Sequence, residues 1–208
     1  MKKITFLFLF ALSIMTAQAQ VKFGIKGGIN TNNINGAITL KSKTDSFRLA
    51  ILDAKYGYNL GVFIKADLGP IFIRPELLLS SNKVTYSLKN LVKINTDTLR
   101  SETYTNLDIP LILGTKLGPL KLVFGPVAHI HLNSNSDLTS VNGWKDNFAA
   151  AKWGAQIGIL ANLGERISLD FKYEGNFYKF GDNITYDGKS YAFAKTPKRF
   201  LVGIAYTF

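Results

Sequence analysis

The chain closes on RFLVGIAYTF, residues 199–208, and the two faces of that stretch decide the fold. Counting back from Phe208, large apolar residues recur at every second position: Tyr206, Ile204, Val202 and Phe200. Between them stand Thr207, Ala205, Gly203 and Leu201, most of them small. A repeat of two is that of a β-strand, whose side chains alternate between the faces of its sheet. This strand is apolar on one side, nearly bare on the other, and ends in an aromatic ring.

The same alternation recurs along the chain, and no stretch keeps apolar residues at helical spacing for three turns. Strands are expected over 21–30, 56–68, 71–84, 103–117, 120–133, 148–163, 167–177 and 198–208. The connections between them are of two kinds. LGP (68–70), LGP (117–119) and LGER (163–166) read as tight turns built on Gly and Pro. Long polar segments at 31–55, 85–102, 134–147 and 178–197 alternate with them. All short turns therefore fall at one end, together with both termini. Loops of that length are uncommon in compact soluble domains, whereas transmembrane barrels pair short turns with long loops.

Alternation alone does not say whether the apolar face points into a barrel or out of it; a lipocalin-type barrel also has eight strands. The opposite face decides. Ile167, Leu169, Phe171 and Tyr173 oppose Ser168, Asp170, Lys172 and Glu174, and glycines recur on the polar side at positions 24, 57, 61, 114, 125, 154, 158 and 203. On a solvated sheet such glycines only weaken the strand. Inside an eight-stranded barrel they leave room for charged neighbours in an interior that barely holds side chains. The apolar face then meets lipid, and the sheet closes because an open edge in hydrocarbon leaves its backbone unpaired. The expected fold is an all-β, eight-stranded antiparallel up-and-down transmembrane barrel. Tyr56, Tyr104, Trp144, Trp153, Tyr173 and Phe208, near strand ends, are expected to form an aromatic girdle.

Residues 1–19 stand apart. Lys2 and Lys3 precede an apolar run over 4–15 and the sequence TAQAQ, the pattern of a signal peptide cleaved after Ala19. The run is too short to span a bilayer as a helix. The remaining residues, 20–208, form the barrel domain, exported to the outer membrane. Losing Lys2 and Lys3 lowers the formal charge from +11 by two. Nucleic acid is not an expected partner for an exported chain; anionic lipid and lipopolysaccharide phosphate are the natural counter-charge. The chain has no cysteine, which excludes a disulfide framework, a thiolate metal site and a lipid anchor on cysteine.

Several strings can be compared directly with known barrels: RPELLLS (74–80), LDIPLILG (107–114), FGP (124–126), FKYEGNF (171–177) and the closing VGIAYTF. In that order they resemble the small outer-membrane β-barrel family of Bacteroidota often called PorT-like, over essentially the whole mature chain. The resemblance implies an eight-stranded outer-membrane barrel with no established activity for most members. The namesake is associated with protein secretion, which makes envelope or secretion proteins the expected partners of a monomeric barrel.

The charged residues on the inner face are Arg74, Glu76, Asp108, Lys116, Lys121, Asp170, Lys172 and Glu174, expected to form a cross-strand network that plugs the lumen and fixes the register. Pro75, Pro110 and Pro126 each delete a ladder donor in mid-strand, so bulges or kinks are expected there. His129 and His131, in AHIHLNSNS, are placed near the loop end on the inner face as a possible mouth site. A metal site would need a third ligand that is not evident. A lipid-modifying hydrolase using His131 and Ser134 would need a site facing lipid, whereas the histidines are expected to point inward, and a spacing of three puts Ser134 on the opposite face unless the strand ends between them. Neither catalytic residues, nor a metal, nor a cofactor is expected. The expected function is non-enzymatic, structural or accessory in the envelope, with a narrow solute channel and a lipid A-modifying enzyme as alternatives.

Overall fold

The computed structural model describes residues 20–33, 36–41, 46–54, 56–90, 97–136, 144–146, 151–178, 184–186, 189–191 and 196–208. The expected signal peptide and its cleavage site lie outside these residues. Eight long strands close into an antiparallel barrel: β1 (Gln20–Asn33), β4 (Tyr56–Leu68), β5 (Ile71–Asn90), β6 (Asp97–Leu117), β7 (Leu120–Ser136), β9 (Lys152–Leu163), β10 (Ile167–Asn176) and β13 (Lys198–Thr207). Each pairs with its sequence neighbour in the barrel, and β1 closes on β13 with Gly24 opposite Thr207 and Asn33 opposite Lys198.

Period two sets the faces as expected. On β13, Phe200, Val202 and Ile204 are exposed, while Arg199, Leu201 and Ala205 are buried. The exposed apolar set continues around the barrel through Ile25, Leu60, Leu79, Leu111, Phe124, Ile157 and Phe171. Water would not tolerate such a continuous apolar surface on a monomer, whereas lipid accepts it. The terminal Phe208 stacks edge-on against Tyr206 at a centroid distance of 5.6 Å, and Tyr173 packs against Phe200 at 5.1 Å. The girdle is less complete than expected. Tyr104 shares the inward parity of Asp108 and is half-buried, so it does not belong to an outward belt. The side chain of Trp144 lies outside the described ones.

The turns follow from Gly and Pro. Gly69–Pro70 and Gly118–Pro119 are two-residue hairpin connections with φ of 71° and 64° at the glycine, and Gly164 opens the third turn at 78°. A positive φ at the first central residue matches the twist of the flanking strands, and only glycine takes it without strain. A Cβ at Gly118 would meet no atom within 4 Å, so any cost of filling it is conformational. Gly118→Ala should therefore destabilise the barrel by about 1–2 kcal/mol, read as a lower urea midpoint. An unchanged midpoint would mean that the turn relaxes to another geometry.

All four segments expected as polar loops contain strand: β5 and β6 run into 85–102, and the other three hold further strands. β2 (Gly36–Lys41) and β3 (Ser46–Ala54) form a hairpin, and β3 continues the edge of β5 where β4 leaves off. β5 has 20 residues, about 65 Å at roughly 3.3 Å per residue, far beyond the ~25 Å apolar band of such barrels. The wall therefore extends past the membrane at the loop end. A small sheet of β8 (Trp144–Asp146), β11 (Ile184–Tyr186) and β12 (Lys189–Tyr191) joins two of the other loops.

The prolines behave differently from the expectation. Three successive ladders lapse for two residue pairs each, always at a proline. β4–β5 lapses around Pro75, between Phe63/Glu76 and Ala66/Ile73. β5–β6 lapses around Pro110, between Pro75/Leu111 and Leu78/Asp108, and β6–β7 around Pro126, between Pro110/Val127 and Leu113/Phe124. The register is the same on both sides of every gap. A missing N–H opens the ladder but inserts no residue, so the outcome is a gap and not a bulge. The described irregularities of register lie elsewhere, at Thr105/Asn106 and at Ile51/Asp53.

Candidate functional site

The barrel interior is filled in layers. Near the loop end and at mid-height the filling is charged; toward the turns it is partly apolar. Phe72, Ile112, Val123 and Leu160 make a buried cluster on the β5–β6–β7–β9 side. Small residues make that packing possible: a Cβ on Gly114 would run into the Phe72 ring, and one on Gly158 into the Phe171 carbonyl and the Lys172 backbone. Alternation in the sequence predicts an inner face that is polar with small gaps, and this apolar layer departs from it.

Above it lies the first charged layer. Arg74, only 2 % exposed, reaches across the lumen from β5 to β10, its Nη2 2.6 Å from Asp170 Oδ2 and 2.5 Å from Glu76 Oε1. β5 and β10 are four strands apart in either direction around the barrel, so this contact is a diameter. Lys26 on β1 sits between Glu76 Oε2, at 3.1 Å, and Asp170. Lys172 Nζ stands 3.4 Å from Glu76 Oε2.

A second layer crosses the first. Arg199 on β13 donates from Nε to Glu174 Oε1 at 2.7 Å and from Nη2 to Asp108 Oδ2 at 3.3 Å. β13 and β6 are again opposite strands. His129 Nδ1 lies 2.7 Å from Asp108 Oδ1, and its Nε2 lies 2.9 Å from Asn176 Oδ1 and 3.4 Å from Glu174 Oε1. Ser80 Oγ donates to Asp108 Oδ2 at 2.6 Å, and Gln156 Nε2 to Glu174 Oε2 at 2.8 Å. Glu174 is fully buried and shares the acceptor role in this layer with Asp108. Buried charges of this kind persist only when paired and hydrogen-bonded, and here each carboxylate faces at least one cation.

Of the residues singled out from the sequence, the structure gathers Arg74, Glu76, Asp108, Asp170, Lys172 and Glu174 into these two layers. Lys116 is a correction. Its side chain is 39 % exposed at the end of β6, where its Nζ lies 2.9 Å from Asp67 Oδ1. Even alternation gave its face, but it sits one residue before the turn, at the rim of the interior and away from the two charged layers. His129 joins the second layer, whereas His131 is half-buried nearer the loop end, with Nδ1 3.0 Å from Asn106 Oδ1. Ser134 pairs with Tyr104 across the β6–β7 ladder, and its side chain lies outside the described ones. Both ring nitrogens of His129 already face oxygen, so this ring has no free nitrogen to act as a base.

Two members of the network were missed, Lys26 and Arg199. Lys26 sits between Gly24 and Gly28 in a stretch read only for its glycines, on the same inward parity as Asn30. Arg199 directly opposes Glu174 in the β10–β13 ladder. Extending the alternation of the last strand by one step, from Leu201 to Arg199, would have found it.

Below the charged layers the interior widens at the turn end into a hollow of about 280 Å3, bordered by Lys22, Lys65, Asp67, Lys121 and Arg166 and roofed by Phe63 and Arg74. Lys121 therefore belongs to the hollow and not to the charged layers above.

Comparison with known proteins places this geometry. The chain is similar to Neisserial surface protein A, with 12 % identity and a TM-score of 0.52, covering 91 % of this chain and 99 % of that one. It is similar to OprG of Pseudomonas aeruginosa, with 12 % identity and a TM-score of 0.53 over 91 % and 97 % of the two chains. AlkL, solved in lipid bilayers, has 10 % identity and a TM-score of 0.55 over 91 % and 90 %. Identities this low speak for the fold alone. No curated protein matches the chain. Residues 4–208 match the family model described as an outer membrane protein beta-barrel domain, and the chain belongs to that family of bacterial outer-membrane barrels.

Proposed function

We propose that this protein is a non-enzymatic, side-chain-sealed barrel that serves the outer membrane as a structural or accessory component. The observation that carries this reading is the pair of crossed layers, Arg74–Asp170 and Arg199–Asp108, each spanning opposite strands. An eight-stranded lumen is just wide enough to be filled by side chains, and these two diameters fill it. The inward, doubly bonded His129 supports the non-enzymatic reading, since a group acting on lipid A must reach the outer surface. In this reading the barrel is a monomer seated in lipid and lipopolysaccharide, a PorT-like relative from Bacteroidota, exported by residues 1–19. The wall extended by β2, β3, β5 and β6 presents the surface for any envelope or secretion partner.

Planar-bilayer recording of the purified protein tests the seal. No reproducible conductance steps are expected at neutral pH; regular steps of one size would overturn the reading and favour a narrow solute channel. Crosslinking in intact cells, followed by purification from the outer membrane, separates the two roles. A reproducible envelope protein makes the barrel an accessory subunit, and recovery of the barrel with lipid alone makes it a structural one.

A further inference from the structure

The hollow at the turn end carries a chemistry that the seal does not use. It is bordered by Lys22, Lys65, Lys116, Lys121 and Arg166, with Arg74 in its roof. Among the described residues, two carboxylates, Asp67 and Glu165, border it in return. Asp67 is already engaged by Lys65 at 2.7 Å and by Lys116 at 2.9 Å. Lys121 is 8 % exposed, and its Nζ is met by a neutral amide oxygen, Asn162 Oδ1 at 2.9 Å, and not by a carboxylate. Lys65 and Lys121 both stand over the ring of Phe72, at 5.1 and 5.6 Å from its centroid, which holds the two ammonium groups on the same wall. The roof adds a second sign: Arg74, almost wholly buried, has its Nε without a hydrogen-bond partner while its side chain lines the hollow.

We infer that this hollow is a binding site for a small phosphate-bearing dianion, entered from the turn end. Several lysine point charges and two guanidinium groups around a closed-roofed space suit a compact, multiply charged tetrahedral group. The cations outnumber the carboxylates in a pocket whose Phe63 and Leu160 wall lowers the local dielectric and strengthens the attraction. In outer-membrane barrels the short turns face the periplasm, so the ligand arrives from that side. Its phosphate can belong to a free anion or to the head group of a lipid in the inner leaflet.

The test uses the isotope-labelled barrel in maltoside micelles, with amide shifts followed as inorganic phosphate is added at constant ionic strength. Saturable shifts are expected at Gly118, Asn162 and Ser168, and none at Leu99 near the loop end. Lys22→Gln, at an exposed position, and Lys121→Gln should each weaken the response, with the pair about tenfold weaker or more. Chloride at the same ionic strength should leave these amides unmoved. A short-chain phosphatidate supplies the other source: saturation of the same amides at lower concentration assigns the site to a lipid head group, and a weaker response assigns it to a free phosphate. The inference is overturned if inorganic phosphate and phosphatidate both fail to saturate these amides, or if Lys22→Gln, still folded by its heat-modifiable gel mobility, binds as the parent does.

Discussion

Replacing Glu76 by alanine should destabilise the barrel by about 3–5 kcal/mol, the usual cost of leaving a buried charge without its partner. Glu76 is the acceptor for Arg74, Lys26 and Lys172, and once it is gone those three cations retain only Asp170. For a urea dependence near 2 kcal/mol per molar, the midpoint should fall by about 2 M. The control is the double variant Glu76→Met with Lys172→Met. It removes one charge of each sign, restores the balance of the layer and fills the space with apolar volume. Replacing both partners by apolar residues is often close to neutral, so the double variant should recover roughly half of the loss or more. A Glu76→Ala barrel with an unmoved midpoint would mean that the first layer contributes nothing to stability.

The second large effect is expected at Arg199. Its removal leaves Asp108 and Glu174 facing each other's charge with His129 as the remaining nearby cation donor. Arg199→Leu should again cost about 3–5 kcal/mol, and Arg199→Lys distinctly less, because the ammonium keeps the charge but loses the forked geometry. The position adds a second readout. Arg199 lies on β13, whose ladder with β1 closes the barrel, and it supplies one of the two lumenal diameters. Arg199→Leu is therefore expected to admit ionic current where the parent admits none. A variant that unfolds at the same urea concentration and stays electrically silent would remove Arg199 from the seal.

These charges are a costly way to fill a lumen, since well-packed apolar residues of equal volume are at least as stabilising. What they add is geometric. A guanidinium that must meet a carboxylate on the opposite strand accepts one register and one height, whereas apolar filling tolerates a slip. In an eight-stranded barrel a one-residue slip would turn a whole strand inside out. The proline gaps on β5, β6 and β7 fit the same reasoning. Three neighbouring ladders lose hydrogen bonds at Pro75, Pro110 and Pro126 yet keep their register, and the long pairings on either side, together with Arg74, Glu76 and Asp108 beside the gaps, hold it.

The sequence alone determined which residues face lipid and which face the lumen, because alternation is a property of the extended backbone and needs no partner. It also determined the turns, since Gly69 and Gly118 with their following prolines admit few other conformations, and hence the eight barrel strands and their up-and-down order. Height was a different matter. Parity assigned Lys116 and Asp108 to one face, but only the register of the closed sheet put Asp108 in the sealed interior and Lys116 at an exposed rim beside Asp67. The same register brought Lys26 and Arg199 to carboxylates that lie far from them in sequence, and it ran β3 along β5 where polar composition suggested a loop. Face follows from a local period of two, whereas height follows from how every strand is staggered against the next around the ring. That stagger is a collective property of closure, and no single stretch of the chain contains it.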